Sequence, residues 1–351
     1  MSYMSMNSKI PVGILGATGS VGQKFIELLS NHPWFEIKEI AASEKSLGQM
    51  YRHRVNWFSS YQLPQHIANL ELKACEPNLN CRVVFSGLDS SVAGVIEEKF
   101  ANKGYIVVSN SKNHRMDKDV PLLVPEINAD HLELIKTQKH GDGCIVTNPN
   151  CSTIGLVLAL KPLIDQFGLE AVNVVTLQAL SGAGYPGVAS LDSLDNVLPF
   201  ISGEEDKVES EPLKIFGTLN KGHVRNIELK ISAQCNRVAV VDGHLECVQV
   251  KLKSMASIDS IKHAWINFSG EPQKLKLPLA PSKPIYYFEE EKYPQPKIHR
   301  NLDKGMAVSV GRLREDTVLD YKFVVLSHNT IRGAAGGAIL CAELMKSKGY
   351  I

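Results

Sequence analysis

The fold is decided near the start of the chain by residues 10–22, which read IPVGILGATGSVG. The apolar residues 10–15 predict a buried strand, and residues 23–30 have the pattern of a helix. The glycines between them repeat as G-x-x-G-x-x-G, a spacing that lets the backbone approach a phosphate at the N-terminus of the helix. We therefore expect this strand, turn and helix to bind a dinucleotide, the alternative being a flexible turn without a ligand.

Strands and helices continue to alternate after this unit. Apolar runs at residues 36–42, 81–87 and 105–109 predict strands, and residues 92–101 predict a helix between the last two. Such alternation is typical of a Rossmann-type parallel sheet, whose ligands bind beyond the carboxyl ends of the strands. Two loops follow the later strands, residues 86–88 and 110–115. We expect them to contact the cofactor or an anion, the alternative being plain loops.

The loop after the second predicted strand indicates which dinucleotide binds. An NAD-type site would carry an acidic residue there for the ribose 2′-hydroxyl, whereas this chain continues with SEKS. The hydroxyls of Ser43 and Ser46 and the cation of Lys45 suit a 2′-phosphate, so we predict NADP. Glu44 is the opposing charge, and an ordinary solvated loop is the alternative. Residues 48–80 lack firm periodicity and predict an irregular excursion from the sheet.

The second half of the chain has a different pattern. Alternating, β-branched segments predict strands of a mixed, largely antiparallel sheet at residues 170–179, 237–253, 307–312 and 321–326. A proline-rich loop is expected at residues 278–296, and a small-residue helix from residue 329 to about residue 345 is expected to return to the first domain. The prediction is an α/β fold with a dinucleotide-binding domain at 1–149 plus 329–351 and a second, α+β domain at 150–328.

Composition excludes several classes of function. The chain has 351 residues, with Lys+Arg 38 against Asp+Glu 37 and a net charge of +1, which indicates neither a nucleic-acid partner nor an anionic membrane. Its seven cysteines are odd in number and form no C-x-x-C pair, which favours a reducing, cytoplasmic setting without a metal site. No apolar run approaches the roughly 20 residues of a membrane span and no signal peptide is recognised, so we expect a soluble protein.

A candidate nucleophile lies near the middle of the chain in residues 147–155, TNPNCSTIG. Turn residues precede Cys151 and an apolar run follows it, so Ser152 or Thr153 is expected to cap a helix. This places Cys151 at or just before a helix N-terminus, where unpaired amides favour a thiolate. The alternative is an inert cysteine buried in the helix start.

A candidate partner for the thiol is His244, which ends the stretch NRVAVVDGH at residues 236–244. This stretch predicts a strand that closes on glycine and carries Arg237 at its start. A histidine can shuttle the proton that a cysteine nucleophile loses. A structural histidine after a glycine is the alternative.

Taken together, these stretches resemble the aspartate-β-semialdehyde dehydrogenase family over nearly the whole chain. The shared motifs are GATGSVG (16–22), PNCST (149–153), TLQALSGAG (176–184), GEEDK (203–207), NRVxVxDGH (236–244) and HNTIRGAAG (328–336). The form QALSGAGYPG is similar to the archaeal and fungal branch. The resemblance implies a glyceraldehyde-3-phosphate-dehydrogenase-like fold whose second domain is catalytic and forms a homodimer or homotetramer.

The resemblance also implies a role for each site residue. Cys151 is the acyl-accepting thiol, His244 the acid/base and Gln178 the residue that orients the thioester, while Arg237 binds the substrate α-carboxylate and Glu204 its amine. The residues implied to bind the phosphoryl group are Lys207, Asn150 and Arg115. The residues implied to bind NADP are Gly16, Thr18, Gly19, Ser20, Val21, Ser43, Lys45, Ser46, Ser86, Gly87, Ser181, Gly182 and Asn329.

The implied reaction is the reduction of L-4-aspartyl phosphate to L-aspartate-4-semialdehyde and phosphate through a thioester on Cys151, with hydride from NADPH, in the biosynthesis of lysine, threonine and methionine. Two departures from the family pattern are Ala239, where proline is usual, and Lys45, where arginine is usual. A malonyl-CoA reductase of the same fold and a non-catalytic NADP-binding scaffold are the alternatives. N-acetyl-glutamyl-phosphate reductase fits poorly around Gln178 and His244.

Overall fold

The computed structural model describes residues 9–351. In chain order its strands are β1 (Ile10–Leu15), β2 (Phe35–Ala42), β3 (Lys73–Ala74), β4 (Val83–Ser86), β5 (Ile106–Ser109), β6 (Cys144–Thr147), β7 (Leu169–Gln178), β8 (Val197–Leu198), β9 (Thr218–Asn220), β10 (His223–Arg225), β11 (Lys230–Val238), β12 (His244–Leu252), β13 (Ile285–Phe288), β14 (Val308–Glu315) and β15 (Tyr321–Ser327). Its α-helices are α1 (Ser20–Leu29), α2 (Tyr51–Arg54), α3 (Gln65–Ala68), α4 (Ser90–Asn102), α5 (Cys151–Phe167), α6 (Ser190–Ser193), α7 (Glu204–Ile215), α8 (Ile258–Ile266), α9 (Glu271–Lys274), α10 (Pro296–His299) and α11 (Gly336–Ser347).

The first half of the chain forms the parallel sheet that the sequence predicts. Its strand order is β3-β2-β1-β4-β5-β6, and every neighbouring pair is parallel. The order reverses at β1, which pairs with β2 on one side and β4 on the other, and ligands of such sheets bind at this reversal. The sequence pattern misses β3 and β6, because one has two residues and the other is a four-residue run between loops.

The glycine turn after β1 is shorter than predicted. Helix α1 begins at Ser20 instead of residue 23, so Gly22 belongs to the helix. Gly22 packs so closely that an added Cβ would lie 2.2 Å from the carbonyl oxygen of Gly16. Gly16 itself has φ +74, and a Cβ there would lie 2.7 Å from the carbonyl oxygen of Gly87. Both positions therefore require glycine, which explains the motif by close packing as well as by phosphate access.

The second half forms the predicted mixed sheet, with strand order β13-β14-β15-β12-β7-β11-β8. The strand predicted at residues 237–253 is only partly correct. Residues 244–252 form β12, but Arg237 and Val238 end the preceding strand β11, which lies on the other side of β7, so Arg237 lies near the end of a strand and not at its start. The valines at 238, 240 and 241 imitate a continuous strand, but the chain turns at Asp242 and at Gly243, whose φ is +98. The predicted loop at 278–296 likewise contains β13.

The last helix returns to the first sheet, as expected. Side chains of α11, including Ile339, Leu340 and Leu344, belong to the same buried cluster as Ile14 and Phe85 of the parallel sheet. The family resemblance and the alternation of elements thus agree with an architecture of one parallel and one mixed sheet, and the predicted fold class is confirmed. Among residues 9–351, no helix combines the length and the apolar character that crossing a membrane would need.

Candidate active site

Three of the predicted site residues lie close together at one end of the mixed sheet, where β7 and β11 end and β12 begins. Gln178 ends β7, and Arg237 is its register partner on the parallel strand β11. His244 begins β12, which runs antiparallel to β7, so its start lies beside the end of β7. Strand pairing therefore brings together side chains that the linear sequence separates.

Cys151 is the first residue of α5, and this helix start lies against the same end of the mixed sheet. The predicted cap is wrong: the cap is Asn150, whose Oδ1 accepts hydrogen bonds from the backbone N–H of Ser152 at 2.9 Å and of Thr153 at 3.3 Å. Asparagine is among the strongest caps because its short side chain reaches these amides, an effect of about 1 kcal/mol. Asn150 thereby fixes the backbone on which Cys151 stands.

The sulfur of Cys151 lies 3.2 Å from Nε2 of His244. On the other side of the ring, the backbone N–H of Ala179 donates to Nδ1 at 3.0 Å, so the neutral imidazole carries its proton on Nε2, facing the sulfur. Burial, together with the nearby cation of Arg237, lowers the pKa of His244 to about 3. The ring is therefore neutral at physiological pH.

The protonation state of Cys151 is not the thiolate that the sequence predicts. Burial, followed by the neighbouring carboxylate of Glu204, raises its pKa to about 12, while Lys207, Arg115 and Arg237 act in the opposite direction. Desolvation thus outweighs the nearby cations, and the uncharged thiol predominates at neutral pH.

Glu204 is the centre of a polar network at the start of α7. Its Oε2 accepts hydrogen bonds from Asn150 Nδ2 at 2.9 Å and from Gln178 Nε2 at 3.3 Å, and its Oε1 is paired with Lys207. Burial raises the pKa of this carboxyl, but Lys207 and the amide donors outweigh burial and leave the pKa below its ordinary value. Glu204 is therefore an anion at neutral pH and can bind an ammonium group.

Arg115 lies in the loop after β5. Its Nη1 donates to Oε1 of Glu211 at 2.9 Å and its Nη2 to the carbonyl oxygen of Asn110 at 2.7 Å. Arg237, on the sheet side, donates from Nη1 to the carbonyl oxygen of Ala179 at 2.8 Å. The two guanidinium groups are thus held by backbone and carboxylate acceptors.

One cleft between the two sheets is lined by ten of the predicted site residues, whereas Gln178, Arg237 and His244 are not part of its lining. Those along it are Ser20, Val21, Arg115, Asn150, Cys151, Ser181, Gly182, Glu204, Lys207 and Asn329. Two of them are tied together, since Asn329 Nδ2 donates to Ser181 Oγ at 2.8 Å. Gly182 leaves no room for a side chain, because an added Cβ would lie 2.8 Å from Nη1 of Arg237. The cleft therefore joins the glycine turn to the thiol.

The first turn of α1 fits a phosphate of a dinucleotide. Gly19 is its N-cap and supplies no side-chain hydrogen bond, so the amides of Ser20 and Val21 are available for an anion beside the positive end of the helix. Thr18 and Gly19 belong to the same turn. The residues present therefore fit the cofactor that the sequence predicts.

Other predicted cofactor residues lie away from this cleft. Ser43 and Lys45 are exposed in the short 3-10 turn after β2, and Ser46 is buried. Ser86 is fully buried, side chain and backbone alike, and Gly87 packs against the glycine turn. Ser43, Lys45 and Ser46 form a separate cluster at the end of β2, where the 2′-phosphate was predicted to bind.

Two residues of interest are not identified by the sequence motifs. Arg54, at the end of α2, donates from Nε to Ser46 Oγ at 3.0 Å and brings a second cation to the cluster at the end of β2. It lies in the stretch 48–80, where no periodicity indicates its position. Glu211 contacts Arg115 and lies on the same face of α7 as Glu204 and Lys207. Its helical spacing from these two residues is the sequence signal that could have identified it.

Comparison with known proteins gives matches along nearly the entire chain. Residues 11–135 match the family model described as "Semialdehyde dehydrogenase, NAD binding domain", and residues 160–332 match "Semialdehyde dehydrogenase, dimerisation domain". The aspartate-semialdehyde dehydrogenase of Schizosaccharomyces pombe is 49% identical over 97% of this chain and 99% of its own length. That of Archaeoglobus fulgidus is also 49% identical, over 95% of this chain and 97% of its own length.

A solved structure is similar as well. The crystal structure of aspartate semialdehyde dehydrogenase with NADP from Candida albicans superimposes with a TM-score of 0.92 at 45% identity. The match covers 97% of this chain and 100% of the Candida chain. Both an archaeal and two fungal proteins are thus among the relatives, in agreement with the branch that the motif QALSGAGYPG indicates.

Proposed function

Because the chain belongs to the aspartate-semialdehyde dehydrogenase family, we propose that it catalyses the NADPH-dependent conversion of L-4-aspartyl phosphate to L-aspartate-4-semialdehyde and phosphate. This step serves the biosynthesis of lysine, threonine and methionine. The observation that carries the proposal is the contact of Cys151 Sγ with His244 Nε2 at 3.2 Å, in a cleft lined by the cations Arg115 and Lys207.

Cys151 is the proposed nucleophile. Its sulfur attacks the acyl carbon of aspartyl phosphate, the carbon–oxygen bond to the phosphoryl group breaks, and a thioester remains. The proton of the thiol is transferred to the released phosphate, which leaves as hydrogen phosphate. Uncharged at neutral pH, the thiol must lose this proton during the attack, and the nearby cations Lys207 and Arg115 favour the developing charge.

His244 is the proposed acid/base residue, and its tautomer makes it a hydrogen-bond donor to the sulfur. With Nδ1 accepting from Ala179, the ring holds its proton at Nε2, directed at the sulfur. When the sulfur departs from the tetrahedral carbon in the reductive step, this N–H donates to it and stabilises the thiolate.

The substrate is proposed to bind through its charged ends. Arg237 would pair with the α-carboxylate through its planar fork, and the anionic Glu204 would bind the ammonium group. Gln178, which donates to Glu204, would orient the thioester carbonyl. The residues proposed to bind the phosphoryl group are Lys207, Asn150 and Arg115.

NADP is the proposed cofactor, and when bound it supplies the hydride that reduces the thioester. The turn that includes Gly16, Thr18 and Gly19 and the amides of Ser20 and Val21 would hold its phosphates. The other residues proposed to contact it are Ser43, Lys45, Ser46, Ser86, Gly87, Ser181, Gly182 and Asn329. The cation of Arg54 beside Ser46 supports the choice of NADP over NAD.

We further propose a homodimer or homotetramer in the cytoplasm. Leu191, Leu194 and Phe200 are exposed at 90%, 62% and 70%, an apolar surface that a second copy would cover, and they lie in the segment that matches a dimerisation domain. The seven cysteines are all free, which suits a reducing compartment. The proposed domains are 1–149 with 329–351, and 150–328.

The test of this function is phosphate-dependent reduction of NADP in the presence of L-aspartate-4-semialdehyde, repeated with NAD and, in the reductive direction, with malonyl-CoA as acyl donor. Cys151→Ala should abolish turnover and leave NADPH binding intact, and Cys247→Ala, at an exposed thiol, should leave the rate unchanged. A phosphate-independent rate, or turnover with malonyl-CoA alone, would contradict the proposal.

A further inference from the structure

Helix α7 carries alternating charges on one face, at Glu204, Lys207, Glu211 and Lys214. The first two line the cleft, whereas Glu211 is 2% exposed and lies one to two turns further along. We propose that Glu211 is a positioning residue, which holds the phosphate-binding Arg115 and the backbone next to the nucleophile at a fixed separation. This proposal rests on the function proposed above and assigns how its phosphate site is built.

The guanidinium of Arg115 is directed by two acceptors. Nη1 donates to Glu211 Oε1 at 2.9 Å, and Nη2 donates to the carbonyl oxygen of Asn110 at 2.7 Å. Nε is buried and has no partner within residues 9–351. Each of the two terminal nitrogens keeps one further N–H group that can donate to an anion, and Arg115 lines the cleft that contains Cys151.

The second oxygen of the same carboxylate binds a different loop. Glu211 Oε2 accepts the backbone N–H of Asn150 at 2.7 Å, and Asn150 caps the helix that begins at Cys151. One buried carboxylate therefore links the loop after β5, which carries Arg115, to the loop after β6, which ends at Asn150 immediately before the nucleophile. Its two oxygens set the distance between the cation and the thiol.

Lys214, one turn beyond Glu211, holds the main chain of the Arg115 loop. Its Nζ donates to the carbonyl oxygens of Arg115 at 2.7 Å, Asp117 at 2.7 Å and Val120 at 2.8 Å. Side chain and backbone of Arg115 are thus both anchored to α7. Because the same helix carries Glu204 and Lys207, one rigid element positions both walls of the phosphate site.

A simpler role for Glu211 would be to neutralise the buried charge of Arg115, and the two roles predict opposite results. The carboxylate repels a phosphate dianion, so if position were irrelevant, Glu211→Gln would strengthen phosphate binding. If Glu211 positions Arg115, the amide weakens phosphate binding, because its NH2 group faces either the guanidinium or the Asn150 N–H and leaves that donor unpaired.

The experiment measures initial rates of the full-length Glu211→Gln protein while phosphate is varied at saturating aspartate semialdehyde and NADP. We expect the KM for phosphate to rise about tenfold or more, while the KM values for NADP and for the semialdehyde stay within about twofold, since the bonds of Glu211 hold Arg115 and Asn150, two residues assigned to the phosphoryl group. An unchanged or lower KM for phosphate would overturn the proposal. If the unmodified protein itself shows no phosphate-dependent rate, the proposed function fails and not only this inference.

Glu209→Gln is the matched control. Glu209 lies on the same helix, and its carboxylate also accepts a backbone N–H, that of Ala233 at 2.9 Å, but it does not contact the Arg115 loop. Its KM for phosphate should be unchanged. Lys214→Met should raise the KM for phosphate in the same selective way, and to a smaller extent. If both Glu211→Gln and Lys214→Met fail to fold, as judged by thermal melting and NADP binding, the role is structural and the proposal is wrong.

Discussion

Cys151 Sγ and His244 Nε2 lie 3.2 Å apart although 93 residues separate them in the chain. The contact forms because the start of α5 lies against the sheet edge at which β12 begins. The Ala179 N–H holds the imidazole from the other side, so the ring cannot turn without losing that bond. The Ala179 N–H occupies Nδ1, so the ring proton is on Nε2 and faces the sulfur of Cys151.

Replacing His244 by alanine should lower kcat by about 10²–10⁴, because the departing sulfur loses its hydrogen-bond donor. Glutamine should retain more activity, since its carbonyl can accept from Ala179 while its NH2 donates to the sulfur. Steady-state kinetics with NADPH binding as the folding check measure both variants. Alanine replacement of the exposed His223 is the control, and equal activity of the Ala and Gln variants would contradict the assigned tautomer.

Alkylation of Cys151 by iodoacetamide should accelerate continuously as the pH rises. Burial raises the pKa of this thiol to about 12, so the reactive thiolate is a small fraction that grows about tenfold per unit between about pH 7 and pH 9. Mass spectrometry of the labelled peptide gives the rate. A plateau within that range would indicate a thiolate already formed, stabilised by His244 or by the helix N-terminus.

The fold was largely predictable from the sequence because apolar runs and glycine turns mark most strands of the parallel sheet. What failed has identifiable physical causes. The valines before Asp242 extend the alternation of β12 backwards across a turn, so the pattern predicts that β12 begins at Arg237, which in fact belongs to β11. The sequence pattern predicts a hydroxyl residue as the cap of α5, whereas Asn150, which the pattern places in a turn, accepts the capping hydrogen bonds.

Among the site residues, motifs locate those that occur within a distinctive stretch. They miss Glu211 and Arg54, whose roles follow only from contacts with residues far along the chain. The pKa of Cys151 cannot be predicted from the sequence either, because it depends on how completely the fold removes the thiol from water.

Arg237→Lys should raise the KM for aspartate semialdehyde about tenfold, equivalent to about 1.4 kcal/mol, and change kcat less. A lysine cannot pair with a carboxylate at two points, nor can it keep the hydrogen bond to the Ala179 carbonyl in the same geometry. The exposed Arg225 changed to lysine serves as the control. A loss confined to kcat would contradict the role in substrate capture.

Arg54→Gln should raise the KM for NADPH about tenfold, because it removes the cation that we propose binds the 2′-phosphate beside Ser46. The KM for NADH should hardly change, since that cofactor lacks the phosphate. The same substitution at the neighbouring Arg52, which donates to Asn69 Oδ1, is the matched control. Equal effects on both cofactors would place Arg54 outside the 2′-phosphate site.

The return of α11 to the parallel sheet has a consequence for synthesis of the protein. Ile339, Leu340 and Leu344 complete the buried cluster around Ile14 and Phe85, and Gly333 packs against the β-carbon of Cys151. The ribosome makes β1 to β6 first, but this sheet acquires its covering helix only after the whole mixed sheet has been translated. The nascent chain therefore carries a sheet face that is only partly covered, by α1, while the mixed sheet is translated, a period during which chaperones would protect it.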